Sequence, residues 1–315
     1  MMKQIAILDT GYESYDYEQQ LFAKHGFHLS IYNGPDKDAV KKYAFAREAV
    51  GIMVRELVIG DDALAIMPDV KAIVRYGVGY DNIHMKAVKK RNIRVANVQG
   101  YANHSVSEHA LALMFACTRD VEGSRQGEFS KPTREDVIEL HNKTLGIIGI
   151  GQIGSQFSKK ASPLFKSTIA YDPYKPPSHI KSCGAEKVDL SELLNESHVI
   201  SLHCNLTDET RHIIDEAAFG RMSNRPVIIN TARGPVVDEK ALLNALNSGV
   251  IHSAGLDVFE KEPPGKDQEE LLEHPHVVST PHIAWYSERS IVELQRRAAD
   301  NLIGLLTGNQ IDDEL

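Results

Sequence analysis

Three short motifs in the second half of the chain carry the residue types that proton transfer to a carbonyl requires. They are Ile229-Asn230-Thr231-Ala232-Arg233-Gly234, Gly255-Leu256-Asp257-Val258-Phe259-Glu260-Lys261-Glu262-Pro263 and Ser279-Thr280-Pro281-His282-Ile283-Ala284-Trp285. Histidine is the side chain whose ordinary pKa suits proton donation near neutrality, which singles out His282. A carboxylate beside it, supplied by Glu262, stabilises the imidazolium. Arg233 can grip a substrate carboxylate through paired hydrogen bonds and polarise an adjacent carbonyl. Singly, each has a structural alternative: the chain holds 14 histidines, arginines usually lie on surfaces, and a glutamate before proline often just ends an element. A metal site at His274, His276 and His282 lacks the matching carboxylate or cysteine pattern, so no metal is expected.

Upstream lies a second signature, Thr144-Leu145-Gly146-Ile147-Ile148-Gly149-Ile150-Gly151-Gln152-Ile153-Gly154, followed by Ile169-Ala170-Tyr171-Asp172. It reads as a buried strand, a glycine turn opening a helix, and a second strand ending in an acid. Gly149 permits the turn, Gly151 lets the backbone approach a pyrophosphate, and Gly154 lets helix and strand pack closely. The free amides at the helix start face the phosphates. Asp172, roughly 20 residues on, can accept hydrogen bonds from ribose hydroxyls. No arginine follows it, only Pro173, Tyr174 and Lys175, which favours NAD over NADP. Hydride transfer from a nicotinamide to a ketone leaves negative charge on oxygen, and the His282 group is equipped to protonate it.

These residues need a frame. A chain of 315 residues corresponds to two domains. Its 42% hydrophobic and 25% charged residues are ordinary for a globular enzyme. A net charge of −8 with no basic stripe excludes nucleic acid as a partner, and Lys89-Lys90-Arg91 reads as a helix end. No segment has the apolar length to span a bilayer, so no membrane association is expected, and the N-terminal apolar run reads as a strand rather than a signal peptide. Three scattered cysteines, Cys117, Cys183 and Cys204, fit a reducing cytoplasm.

Strand and helix signals alternate, the mark of parallel α/β architecture. Residues 5–9, 28–32, 49–54, 72–75 and 95–97 read as strands, as do 199–203, 227–230, 253–256 and 277–279. A long helix runs from Asn103 to about Arg119, with Ser105 and Glu108 at capping-box spacing. It is apolar nearly all round, which places it either between domains or subunits or within a core. A final amphipathic helix starts at Glu288, and the segment between Glu262 and Glu270 reads as a polar loop.

With Arg75-Tyr76-Gly77-Val78-Gly79-Tyr80-Asp81-Asn82-Ile83, Gly149 to Gly154, the Arg233 and Glu262 motifs and Pro281-His282 together, the chain resembles the D-isomer-specific 2-hydroxyacid dehydrogenases nearly end to end. That group includes phosphoglycerate, glyoxylate/hydroxypyruvate and D-lactate dehydrogenases. The resemblance implies NAD-dependent interconversion of a small 2-keto acid and its D-2-hydroxy acid. Two Rossmann-like doubly wound α/β domains follow from it. A flavodoxin-like substrate domain would comprise 1–100 plus 287–315, and an NAD-binding domain 101–286, with a cleft between them.

The resemblance also implies site roles. Arg233 becomes the carboxylate-binding electrophile, Glu262 the partner and His282 the acid/base. The Val78 and Gly79 amides grip the substrate carboxylate, and Arg55 lines the same cleft. Gln152, Ile153, His203, Thr210, Ala232, Asp257 and Ala284 contact the cofactor alongside Gly149, Gly151, Gly154, Asp172 and Thr231. A homodimer through the helix after Asn103 is implied too. Asn205 departs from the family, which more often has proline there.

Finer features, Tyr171-Asp172-Pro173-Tyr174, Leu202-His203-Cys204 and Ala284-Trp285-Tyr286-Ser287-Glu288, are similar to the branch holding the animal C-terminal binding proteins. On that reading the alternative function is an NAD(H)-sensing interaction module. Trp285 then either reaches the substrate pocket, favouring a larger or apolar keto acid, or clamps a hydrophobic seam.

Overall fold

Short Val- and Ile-rich runs with both faces buried are what a parallel sheet requires, and the chain builds two of them. The computed structural model describes residues 2–34, 38–119, 121 and 137–315, which fall into two units, Met1–Tyr101 with Ser287–Leu315, and Ala102–Tyr286.

The first unit runs β1 (Lys3–Ile7), α1 (Asp16–Lys24), β2 (Phe27–Ile31), α2 (Ala39–Phe45), β3 (Ala49–Val54), α3 (Asp61–Ile66), β4 (Ala72–Arg75), α4 (Met85–Lys90) and β5 (Arg94–Ala96). Its sheet has the order β2-β1-β3-β4-β5, all parallel. The chain reverses its direction of winding between β1 and β3, so the carboxyl ends of those strands form a topological switch point. Ile52, Val54, Ile73 and Val95 are buried on one side of this sheet.

The second unit runs α5 (Asn103–Arg119), β6 (Thr144–Ile148), α6 (Gln152–Ala161), β7 (Ser167–Tyr171), α7 (Pro177–Ser182), β8 (Glu186–Lys187), α8 (Leu190–Glu196), β9 (Val199–Leu202), α9 (Glu216–Phe219), β10 (Val227–Asn230), α10 (Glu239–Asn247), β11 (Ser253–Leu256), α11 (Glu269–Leu272) and β12 (Val277–Ser279). Its parallel sheet has the order β12-β11-β10-β9-β6-β7-β8, with the switch point between β9 and β6.

Two readings of the sequence need correction. Ser105 and Glu108 do not form a capping box, because α5 already begins at Asn103. The Ser105 hydroxyl instead donates to the Ala284 carbonyl at 2.8 Å, and Glu108 pairs with Lys160 at 2.8 Å. Tertiary partners claimed both side chains. The supposed polar loop after Glu262 contains a 3₁₀ turn at Lys266–Gln268 and then α11, whose Leu271 is buried. One strand, the two-residue β8, was not read from sequence, being too short for any alternation of polarity to register.

The last helix, α12 (Glu288–Leu306), belongs to the first unit and packs on α1, β3, β4 and β5. Ser287 and Ser290 cap it reciprocally, each hydroxyl accepting from the other's amide at 3.1 and 2.8 Å. Leu294, Leu302 and Leu305 are buried along its inner face. Arg94 ties the end of α12 to the tail, bonding the Leu305 carbonyl at 2.8 Å and the Glu314 carboxylate at 2.6 Å. Leu302 is fully buried. Leu302→Ala therefore lowers unfolding free energy by about 2–5 kcal/mol, read from the urea midpoint. An unchanged midpoint would show that α12 is not part of this core.

Candidate active site

The carboxyl ends of β6, β7, β9, β10, β11 and β12 are followed at once by Gly149, Asp172, His203, Thr231, Asp257 and Thr280. Open α/β sheets hold their ligands on this edge.

At the end of β6, Gly149 adopts φ +91°, a left-handed conformation that favours glycine. A Cβ on Gly149 would stand 2.7 Å from the Cys204 amide nitrogen, and one on Gly154 only 2.0 Å from the Gly149 carbonyl oxygen. A Cβ on Gly151 would meet nothing within 4 Å, so the backbone there is open to a ligand. Gln152 and Ile153 form the first turn of α6 behind it, and a helix N-terminus attracts phosphate. Asp172 is buried and accepts the Ile150 amide at 2.9 Å and the Tyr174 amide at 3.0 Å.

His203 packs its ring against Phe157, centroids 4.8 Å apart, and bonds Ser201 through Nε2 at 2.9 Å. Burial pushes its imidazole down to about 3, so it is neutral. Its Nδ1 and the Thr231 Oγ1 are buried polar atoms without a hydrogen-bond partner. Buried polar atoms are normally satisfied. With the open space at Gly151, these two atoms fit a bound dinucleotide. Thr210 closes the loop after β9, its hydroxyl donating to the Asn205 carbonyl at 2.6 Å, while Ala232 donates its amide to the Asn230 side chain at 3.0 Å.

The catalytic candidates meet within this unit. His282 Nδ1 lies 2.5 Å from Glu262 Oε2, and the other Glu262 oxygen accepts the Phe259 amide at 3.0 Å. Burial alone would raise the Glu262 pKa. The His282 hydrogen bond and charge, the Phe259 amide and the Arg233 guanidinium outweigh it and hold the carboxyl below its ordinary value. Arg233 sits between the end of β10 and a 3₁₀ turn at Gly234–Val236, after which Asp238 caps α10 by accepting the Ala241 amide at 3.0 Å. Gly234 is required here, since a Cβ would lie 1.9 Å from the Phe259 carbonyl carbon.

His282 itself has φ +54°, left-handed for a residue with a Cβ. Such a residue costs roughly 1–2 kcal/mol and persists only where its surroundings over-determine it. Asp257 does so. Its carbonyl accepts the His282 amide and its carboxylate accepts the amides of Ile283 and Ala284, all at 2.9 Å. The Thr280 hydroxyl adds a fourth bond at 2.6 Å, and His109 bonds Thr280 at 2.9 Å. Trp285 turns its indole N–H onto the His282 carbonyl at 2.9 Å. Thr280 and His109 were not singled out from sequence, and Ser105 was read only as a helix cap. Their link to the site depends on α5 and β11 lying beside β12, which no local pattern reveals.

Arg55, Val78 and Gly79 belong to the first unit. Arg55 follows β3, and Val78 and Gly79 are half-buried in the turn after β4, where the Val78 carbonyl accepts the Asn97 side chain at 2.6 Å. Among the described residues no group of three or more His, Cys, Asp or Glu side chains is arranged to hold a metal ion.

A family model described as "D-isomer specific 2-hydroxyacid dehydrogenase, NAD binding domain" matches residues 110–284. The chain is 40% identical to a hydroxypyruvate reductase of Thermotoga maritima, covering 77% of this chain and 78% of the relative. The chain belongs to the D-isomer-specific 2-hydroxyacid dehydrogenase family. It is 32% identical over 98% of its length to a D-3-phosphoglycerate dehydrogenase of Archaeoglobus fulgidus, but spans only 58% of that longer protein. A crystal structure of D-lactate dehydrogenase from Aquifex aeolicus, complexed with NAD and lactic acid, superposes with a TM-score of 0.86 at 29% identity, covering 98% of this chain and 96% of that one. This dehydrogenase is thus an NAD-dependent oxidoreductase acting between a 2-keto acid and its 2-hydroxy acid, built on two Rossmann-like α/β domains.

Two glycines separate folding from binding. Gly151→Ala should leave the melting temperature near that of the parent and weaken NADH binding by about tenfold or more, read by fluorescence titration, because only the ligand approaches that Cβ. Gly154→Ala should lower stability by about 1–3 kcal/mol through overpacking. Equal melting and equal NADH affinity for the Gly151 variant would remove it from the cofactor site.

Proposed function

We propose that this dehydrogenase reduces hydroxypyruvate or glyoxylate with NADH, with Arg233, Glu262 and His282 performing the chemistry. The observation that carries the proposal is the 2.5 Å contact between His282 Nδ1 and Glu262, with the Arg233 charge acting on the same carboxylate. The 40% identity to a hydroxypyruvate reductase and the 38% identity to a glyoxylate reductase support the choice of substrate.

NADH, when bound, supplies the hydride to the keto carbon. Gly149, Gly151, Gln152, Ile153 and Gly154 would hold its pyrophosphate and Asp172 its adenosine ribose. His203, Thr210, Thr231, Ala232, Asp257 and Ala284 would line the rest of its site. Arg233 grips the substrate carboxylate and draws electron density from the carbonyl. The Val78 and Gly79 amides and Arg55 meet the same carboxylate, and Trp285 bounds the substituent. With Nδ1 engaged by Glu262, His282 uses Nε2 to protonate the carbonyl oxygen as charge develops. Residues 1–100 with 287–315 form the substrate domain and 101–286 the NAD-binding domain.

The enzyme is proposed to be a cytoplasmic homodimer. α5 buries Ala110, Leu113, Met114 and Cys117 but exposes Phe115, which supports a second copy packing along it. Cys117, Cys183 and Cys204 are not joined in disulfides, as a reducing compartment favours. Among the described residues no helix is long and apolar enough to cross a membrane.

NADH consumption across a panel of 2-keto acids tests the assignment. Fastest turnover of hydroxypyruvate or glyoxylate supports it, and tight NADH binding with no turnover of any acid would favour a nucleotide-sensing module. His282→Ala should keep NADH affinity and lose about 100- to 10,000-fold in kcat, the usual contribution of a positioned acid. Retained turnover would sink that role. Glu262→Gln keeps a hydrogen-bond acceptor but removes an anion that is charged at neutral pH. The imidazolium loses its counter-charge, so reductive kcat should fall about tenfold or more while NADH affinity is kept. An unchanged kcat would separate Glu262 from the proton donor.

A further inference from the structure

The first unit contains a buried anion that the reaction chemistry leaves unexplained. Asp9 lies just beyond β1, at the switch point of its sheet, and is only 7% exposed. One of its oxygens, Oδ2, accepts three consecutive backbone amides, those of Arg55, Glu56 and Leu57, at 2.8, 2.9 and 2.8 Å. Its other oxygen accepts the Lys42 ammonium at 2.6 Å. Burying a carboxylate is costly unless its lone pairs are used, and here both oxygens are engaged. These contacts hold the Asp9 carboxyl below its ordinary value despite burial.

The loop leaving β3 is thereby wrapped around a single oxygen atom, and Arg55 is its first residue. The far side of Arg55 is also held, because its carbonyl accepts the Arg75 Nε at 3.1 Å. Its side chain passes over Gly11, where a Cβ would come within 2.7 Å of Nη1. The Arg55 Nε is buried and without a hydrogen-bond partner. The backbone of Arg55 is therefore fixed from two directions while one guanidinium donor is left unsatisfied.

We propose that Asp9 is a positioning residue for keto-acid recognition, holding the loop 55–57 through its three amide bonds so that Arg55 presents its guanidinium to the substrate. The proposal rests on the reading that Arg55 meets the keto acid. Asp257 provides an internal precedent, since it holds the His282 loop by the same means from the neighbouring strand.

The test uses the full chain and compares Arg55→Ala, Asp9→Ala, Asp9→Asn, Lys42→Met and the double variant Arg55→Ala/Asp9→Ala. Four quantities are read: KM and kcat for hydroxypyruvate, NADH affinity by fluorescence, and melting temperature. Arg55→Ala is expected to raise KM about tenfold or more. Asp9→Ala should raise KM by a similar factor with kcat and NADH affinity within about twofold of the parent, since a misplaced side chain distant from the chemistry acts on binding. Asp9→Asn, which keeps an acceptor for the amides, should recover part of that loss and serves alone if the alanine variant does not fold. Lys42→Met leaves the three amide bonds intact and should stay within about twofold. In the double variant the Asp9 change should add less than about twofold to the Arg55 change.

Asp9 variants with unchanged KM, beside an Arg55 variant with raised KM, would overturn the positioning role while leaving the Arg55 reading standing. An Arg55 variant with unchanged KM would overturn that reading and this proposal with it. Full additivity in the double variant, or a Lys42→Met effect as large as that of Asp9→Ala, would also overturn it.

Discussion

The carboxylate of Asp257, 1% exposed, receives the amides of Ile283 and Ala284 and the hydroxyl of Thr280, while its own carbonyl receives the His282 amide. These bonds stabilise a histidine backbone that would otherwise relax out of the left-handed region. The position of the imidazole, and hence its 2.5 Å contact with Glu262, follows from them. Glu262 in turn needs the Phe259 amide to face the ring, and Phe259 abuts Gly234 beside Arg233. The imidazole, its carboxylate partner and the guanidinium therefore share one rigid support.

The same device recurs around both sheets. Asp172 follows β7 and takes an amide from the turn after the adjacent β6. Asp9 follows β1 and takes three from the loop after the adjacent β3. Asp257 follows β11 and takes two from the loop after the adjacent β12. At the carboxyl edge of a parallel sheet the ladder ends, and the next amides of each strand lose their partners just where the chain must turn. An aspartate on the neighbouring strand satisfies them and fixes the turn. The edge that lacks backbone acceptors is also the edge that binds ligands, so one arrangement serves folding and site geometry together.

Legibility from sequence divides along the same line. The glycine turn could be read because each glycine acts on its immediate neighbours: Gly149 through its own φ, Gly154 through the carbonyl of Gly149. Strands 49–54, 72–75, 227–230, 253–256 and 277–279 have the expected bounds, as their buried apolar runs stop at polar or turn residues. Arg233, Glu262 and His282 were chosen by residue chemistry, and the fold brings Glu262 and His282 into contact. The anchoring role of Asp257 was not visible, because its partners lie on the next strand of the sheet. Asp9 escaped notice for the same reason, with the amides it binds more than forty residues away. Ser105 and Glu108 failed in the opposite sense, since a correct local spacing lost to distant partners.

Side-chain length separates the anions that hold loops from the anion proposed to serve the reaction. The three anchoring aspartates lie within two residues of their strand ends. A short side chain keeps the carboxylate beside its own backbone, within reach of the adjacent loop and largely dry. Glu262 has one more methylene and comes from a longer loop, so it can reach a ring that is itself more than a third exposed. Burial suits an anchor because backbone amides then have no competitor in water. Exposure suits the proposed catalytic pair, because a substrate reaching His282 would have to displace water there and leave again after reduction. A buried Glu262–His282 couple would bind its own charges firmly and offer no face to a keto acid. A half-open Asp257 would let water compete for the amides that keep His282 in place.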